Sequence, residues 1–156
     1  MQTDLKTELY NAAMRTFEDL TMMLPSDVLD DSQEAAKVNA SVALRFTGRM
    51  AGRLVVSICG DILPGIAENM LGEDAPPDEK GQLDALGEIA NVICGNVLPC
   101  ICGTKEVLHI SAPEVLENSA SAIRCFGEPA AEVKVGLEEG RADLYLYFDN
   151  PVTPKG

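Results

Sequence analysis

Residues Asp84–Asn96 read DALGEIANVICGN. Leu86, Ile89, Ala90, Ile93 and, just beyond, Val97 recur at spacings of three and four, which brings them to one side of an α-helix. Asp84, Glu88 and Asn91 stand at i, i+4 and i+7, within about 60° of one another at roughly 100° per residue. Gly95 continues that stripe. The apolar side must face a core, so two carboxylates, a carboxamide and a bare stretch of backbone share the outward side. Asn and Gly both lower helix propensity, Gly by about 1 kcal/mol relative to Ala. Something other than helix stability selects them. A polar stripe opposite an apolar one is nonetheless what any surface helix shows, and spacing alone assigns no chemistry.

Working outward, the helix is expected from about Asp78 to Cys102. Pro99 lies inside it and predicts a kink or break near Gly95. Pro76-Pro77 makes GEDAPPDEKG a loop. A shorter helix precedes that loop, starting at Gly60 or Asp61, running through Ile62, Ile66, Met70 and Leu71, and ending at Gly72. Before it, SVALRFTGRMAGRLVVSIC reads as a hairpin. Val42, Leu44 and Phe46 alternate in one arm, Gly48 to Gly52 turn, and Leu54, Val55, Val56 and Ile58 fill the other. Asp27 to Val38 is acidic and irregular, a loop. An amphipathic helix opens the chain from Asp4 to Leu24, carried by Leu5, Leu9, Ala13, Phe17, Leu20 and Leu24, with Pro25 beyond its end. Downstream, strands are expected at Val107–Ala112, Ser121–Phe126, Glu132–Leu137 and Ala142–Phe148, with Glu138-Glu139-Gly140 turning the last pair and NPVTPKG frayed. Hairpins joined to long helices predict an α+β layer fold, two long helices packed on an antiparallel sheet. Helix followed by hairpin occurs twice, an internal pseudo-repeat with halves about 1–72 and 78–150 in one domain spanning 1–156.

The chain has 156 residues with 12 basic and 25 acidic side chains, a formal charge of −13, and 46% hydrophobic residues. That hydrophobic content excludes disorder in spite of the charge. Nucleic-acid binding needs clustered Lys and Arg, and the longest basic grouping is the split pair Arg49 and Arg53. The first twenty residues mix acids and bases, so no secretory signal is expected. The apolar stretch from Leu86 to Cys102 carries Glu88, Asn91 and Asn96 and is short for a membrane span. The five cysteines are an odd number, read as reduced thiols in a cytoplasmic protein. Cys94, Cys100 and Cys102 with His109 invite a zinc site. The Cys-x-Cys spacing spreads two thiols around a helix, so buried structural thiols are the expectation and no metal site is assigned. His109, the single histidine, sits in an expected strand, and no phosphate-binding glycine loop is present.

The run Asp84, Glu88, Asn91 and Gly95-Asn96, with Pro113 after 21 intervening residues, resembles the signature of the CheC–CheX–FliY family. These are bacterial chemotaxis phosphatases acting on the phosphorylated response regulator CheY. The resemblance extends to the Gly48–Gly52 turn and to Met70-Leu71-Gly72. CheC-type members carry the motif on both long helices. Here the first helix offers Asn11, Arg15 and Glu18 at the corresponding positions, so the chain is most similar to CheX, with one active face.

That likeness implies a function: hydrolysis of the aspartyl phosphate on a CheY-type receiver domain. It assigns catalysis to Asn91, orienting the attacking water, and to Glu88, docking on the receiver's active-site Lys. Asp84, Gly95, Asn96 and Pro113 are expected at the partner interface, although Pro113 reads equally well as a residue shaping a strand exit and Asn96 as one bonded to backbone. No cofactor is expected in this chain, since the receiver supplies Mg. The implied partners are the phosphorylated receiver and a second copy in a homodimer, without nucleic acid or membrane insertion. The alternative is a receiver-binding or dimerisation adaptor that does not accelerate hydrolysis.

Overall fold

The computed structural model describes residues 4–72, 75–103 and 108–149. The expected frayed tail, residues 150–156, lies outside them. Asp4 caps α1 (Leu5–Thr21), its carboxylate accepting the Lys6 N–H at 3.2 Å and the Thr7 hydroxyl at 2.7 Å. Leu9, Ala13 and Phe17 are fully buried along its inner side. The helix stops three residues short of the predicted Leu24. The Thr21 hydroxyl bonds the Phe17 carbonyl and accepts the Met23 N–H at 3.2 Å, and Met22 turns into the left-handed region at φ 61°.

The segment predicted as an irregular loop contains a short helix, α2 (Asp31–Ala35). It starts with a capping box: the Gln33 N–H donates to Asp30 at 2.8 Å, and the Asp30 N–H donates to Gln33 Oε1 at 3.0 Å. Then come β1 (Val38–Thr47) and β2 (Gly52–Cys59), the predicted hairpin. The next helix, α3 (Leu63–Leu71), has Pro64 in its first turn and ends at Gly72, which adopts φ 66°.

The long helix α4 (Glu79–Cys102) is capped by Asp78 and continues through Pro99, so of the expected kink or break there is no break. Pro99 lacks only the bond it would have given to the Gly95 carbonyl. Nothing crowds Gly95, and the last turn closes by the Gly103 N–H donating to the Pro99 carbonyl at 3.0 Å. The predicted strand 107–112 shrinks to β3 (His109–Ile110), with Val107 outside the described residues, and β4 (Glu114–Val115) follows. The predicted strand Ser121–Phe126 is instead a helix, α5 (Ser119–Cys125). Ala122 and Arg124 favour helix, and a helical turn brings Ile123 and Phe126 to the same side, against Ala43, Val55 and Tyr147. The predicted last hairpin forms β5 (Ala131–Leu137) and β6 (Gly140–Phe148), with Glu138 at φ 51° in its turn.

All strand pairings are antiparallel, in the order β3-β1-β2-β6-β5, with β4 also on β1. Helices α1, α3 and α4 cover one face. There Leu44, Phe46, Leu54, Val56, Leu144 and Leu146 meet Phe17, Ile66, Leu86 and Ile89 in one core. Burying each such side chain stabilises the fold by about 1.5–3 kcal/mol. The architecture is the expected α+β one. On the other face, Ser41 and Ser57 bond each other at 2.6 Å, and Arg53 lies 4.1 Å above the Phe126 ring. By length and hydropathy α4 could cross a membrane over Glu79–Ile101, but half of that window is buried in the fold.

Candidate active site

Helix α4 presents the two faces its periodicity implies. Leu86, Ile89, Ala90, Ile93 and Val97 are completely buried against the sheet and α1. Asp84, Glu88, Asn91 and Gly95 are exposed. Asn96, which periodicity turns partly inward, is exposed as well, and its carbonyl accepts the Cys100 thiol at 3.5 Å.

Asp84, Glu88 and Asn91 line a shallow cleft of about 200 Å³ together with Val42, Leu83, Gly87, Pro113 and Val115. The structure therefore gathers four of the singled-out residues, Asp84, Glu88, Asn91 and Pro113, into one place. Gly95 and Asn96 lie further along α4, on its exposed surface and outside the lining of the cleft. Asp84 is engaged by Lys80 one turn earlier, at 3.2 Å and in solvent, where such a pair contributes little. Among the described residues, the side chains of Glu88 and Asn91 have no hydrogen-bond or ion-pair partner. A carboxylate and a carboxamide thus stand open to a docking molecule.

Gly87, like Leu83 and Val115, is a lining residue that the sequence reading did not single out. It is buried, and a Cβ added there would come within 3.1 Å of the Pro113 Cβ and 3.2 Å of its Cγ. The available signal was a glycine inside an otherwise strong helix, directly before Glu88. Larger hollows lie elsewhere, one of about 640 Å³ beside Arg45, Arg53 and Phe126 and one of about 600 Å³ between α1 and β5. Neither contains the exposed carboxylate–carboxamide pair.

The cysteines are dispersed. Cys94 is buried in α4, Cys100 and Cys125 are exposed, and the side chain of Cys102 lies outside the described residues. Cys59 is fully buried beneath Asp143, to which its thiol donates at 3.5 Å. Burial, reinforced by the Asp143 charge, pushes that thiol up to about 12, so it stays protonated and is no nucleophile.

The family model described as chemotaxis phosphatase CheX matches residues 40–134, more than half of the chain and all of the cleft. This chain belongs to the CheX family. The fold agrees with solved structures at low identity. A CheX–CheY–BeF3–Mg complex from Borrelia burgdorferi is 15% identical, over 96% of this chain and 100% of that one, with TM-score 0.65. CheX from Vibrio vulnificus is 16% identical over 94% and 97%, with TM-score 0.70. A CheX from Desulfovibrio desulfuricans is 14% identical over 94% and 100%, also with TM-score 0.70. No curated protein matches the chain.

Proposed function

We propose that this CheX-family chain dephosphorylates the aspartyl phosphate of a CheY-type receiver, with Asn91 as the catalytic residue and Glu88 as its docking partner. The observation that carries the reading is the pairing of an open carboxylate and an open carboxamide on one exposed face of α4, in a cleft walled by Pro113.

Hydrolysis of an acyl phosphate needs an in-line water, neutralised charge and little else. The receiver supplies Mg and a Lys around its phosphorylated Asp. The missing part is a group that holds the water. A carboxamide offers an acceptor for a water proton and a donor for a phosphoryl oxygen, without a charge to repel phosphate. Water oxygen attacks phosphorus, and the bond from phosphorus to the receiver's carboxylate oxygen breaks. The carboxylate and inorganic phosphate leave. Asn91 is no base, so the proton leaves with the phosphate. Glu88 would be repelled by the phosphate unless a cation intervened, and the receiver's Lys is that cation. Asp84, Gly95, Asn96 and Pro113 would meet the rim of the receiver, with Gly95 allowing close backbone approach.

The same reading expects a cytoplasmic homodimer with one active face per chain, built from two related halves. The test is the decay of radiolabelled phospho-receiver with wild type and with Asn91→Ala. Acceleration by wild type and none by the variant is expected. Full activity in Asn91→Ala would remove Asn91 from the mechanism. Binding without acceleration by wild type would make the chain an adaptor.

A further inference from the structure

The edge of the sheet nearest α4 is irregular at one point. Ile110 stands opposite Phe46, and Glu114 stands opposite Ala43. Two residues of β1, Leu44 and Arg45, therefore face three of the edge, Ser111, Ala112 and Pro113. This is a bulge of one extra residue. Ser111 anchors it from both sides: its N–H donates to the Arg45 carbonyl at 2.8 Å, and its hydroxyl accepts the Arg45 N–H at 2.9 Å. A side chain thus replaces the backbone carbonyl a regular ladder would offer. Pairing resumes at β4, and the Leu116 N–H donates to the Ser41 carbonyl at 2.9 Å. Pro113 has no N–H to lose from the ladder, so it is suited to the interruption.

The bulge carries the Pro113 ring onto α4 at Gly87, where an added Cβ would stand 3.1 and 3.2 Å from the ring and would push it away by a few tenths of an ångström. Gly87 immediately precedes Glu88 and is one turn before Asn91, and all four residues line the same cleft. A glycine at this position costs the helix about 1 kcal/mol relative to alanine.

We propose that Gly87 and Pro113 act as a positioning pair for hydrolysis. The bare Gly87 seats the Pro113 ring against α4, and the seated ring is the fixed apolar wall that holds the cleft around Glu88 and Asn91 in working geometry. The inference rests on the phosphatase reading above and assigns a role to Gly87, which has no side chain to offer a substrate.

The test compares wild type, Gly87→Ala, Pro113→Gly, the double variant and Asn91→Ala on a CheY-type receiver labelled from radioactive acetyl phosphate. A misplacement of about 1 Å can cost up to about a hundredfold in rate. A shift of a few tenths of an ångström is therefore expected to lower kcat about tenfold in Gly87→Ala, with KM within about twofold. Pro113→Gly should fall similarly. Because Gly87→Ala acts only by crowding the Pro113 ring, which Pro113→Gly removes, the double variant should be no slower than Pro113→Gly alone. Wild-type kcat in Gly87→Ala, or two losses that simply multiply, would overturn the pair. Cooperative melting reports folding. If Gly87→Ala does not fold, the double variant should, and its failure would also overturn the contact. Asn91→Ala separates the two claims. Activity there, with Gly87 and Pro113 still coupled, would refute only the water-holding role. An inactive Asn91→Ala beside a normal Gly87→Ala would refute only the pair. A wild-type chain that accelerates no receiver overturns both.

Discussion

Glu88 and Asn91 occupy the same exposed face of α4, yet they call for opposite electrostatics. The carboxamide must not repel the phosphate, whereas the carboxylate is useful because it is charged. Glu88→Gln keeps the size and removes that charge. If Glu88 pairs with the receiver's Lys, the change should cost about 1.5–3 kcal/mol of docking, since bonds to charged groups fall in that range. That is roughly a ten- to hundredfold rise in KM with a smaller change in kcat. Steady-state kinetics on the phospho-receiver would show it, and an unchanged KM would remove the pairing. The gathering of Asp84, Glu88 and Asn91 was legible in the sequence because the 3.6-residue period alone decides which positions share a face. The packing of Gly87 against Pro113 was not. Its two members are far apart in sequence, and a bulge in another element brings them together.

At the scale of elements, the misreadings have local causes. The expected strand Ser121–Phe126 is a helix, in which Ile123 and Phe126 serve as one turn over the outer face of the sheet. The capping box of Asp30 and Gln33 was written in the sequence and went unread because α2 is too short to show periodicity. Its far end depends on a residue no local pattern could reveal. Arg141 Nη1 donates to the carbonyls of Gln33, Glu34 and Ala36 at 2.6, 2.9 and 2.9 Å. The same guanidinium pairs with Asp143, Nε at 2.8 Å and Nη2 at 3.2 Å, in a buried setting. Arg141→Met would leave a buried carboxylate and three carbonyls without their donor, a loss of about 3–5 kcal/mol by comparison with other broken buried pairs. Urea denaturation should show this, with part of the loss recovered in Arg141→Met/Asp143→Leu. An Arg141→Met protein as stable as wild type would mean that α2 is held by other contacts.

For the whole molecule, two groups raised by burial predict a loss of stability at alkaline pH. Burial first, and then the Asp143 charge, raise both the Cys59 thiol and the Tyr145 hydroxyl to about 12, from ordinary values near 9 and 10. Above about pH 9 the unfolded chain releases protons that the folded chain keeps. The folded state then binds more protons, and stability falls as pH rises from about 9 towards 12. Below pH 9 these two groups contribute no pH dependence. Urea midpoints between pH 7 and 11 would test this, a flat profile counting against it. In the folded protein at pH 8, exposed Cys125 should react with iodoacetamide while buried Cys59 does not, and Cys100, exposed but with its thiol raised by desolvation and by Glu8, should react slowly.

The bulge at Ser111–Pro113 has one more consequence, for self-association into fibres. An open strand edge is a template on which further strands can add without limit. On the β1 side the outermost strand is cut into two two-residue pieces, β3 and β4, separated by a proline that offers no donor. At the opposite side Ser26 bonds Gly136 in both directions, at 2.9 and 2.8 Å, and exposed Glu132 and Lys134 place charges along the remainder of β5. The same bulge that walls the cleft therefore also removes a nucleation edge for cross-β aggregation, so straightening it by substitution would expose the chain to amyloid-like growth on that side.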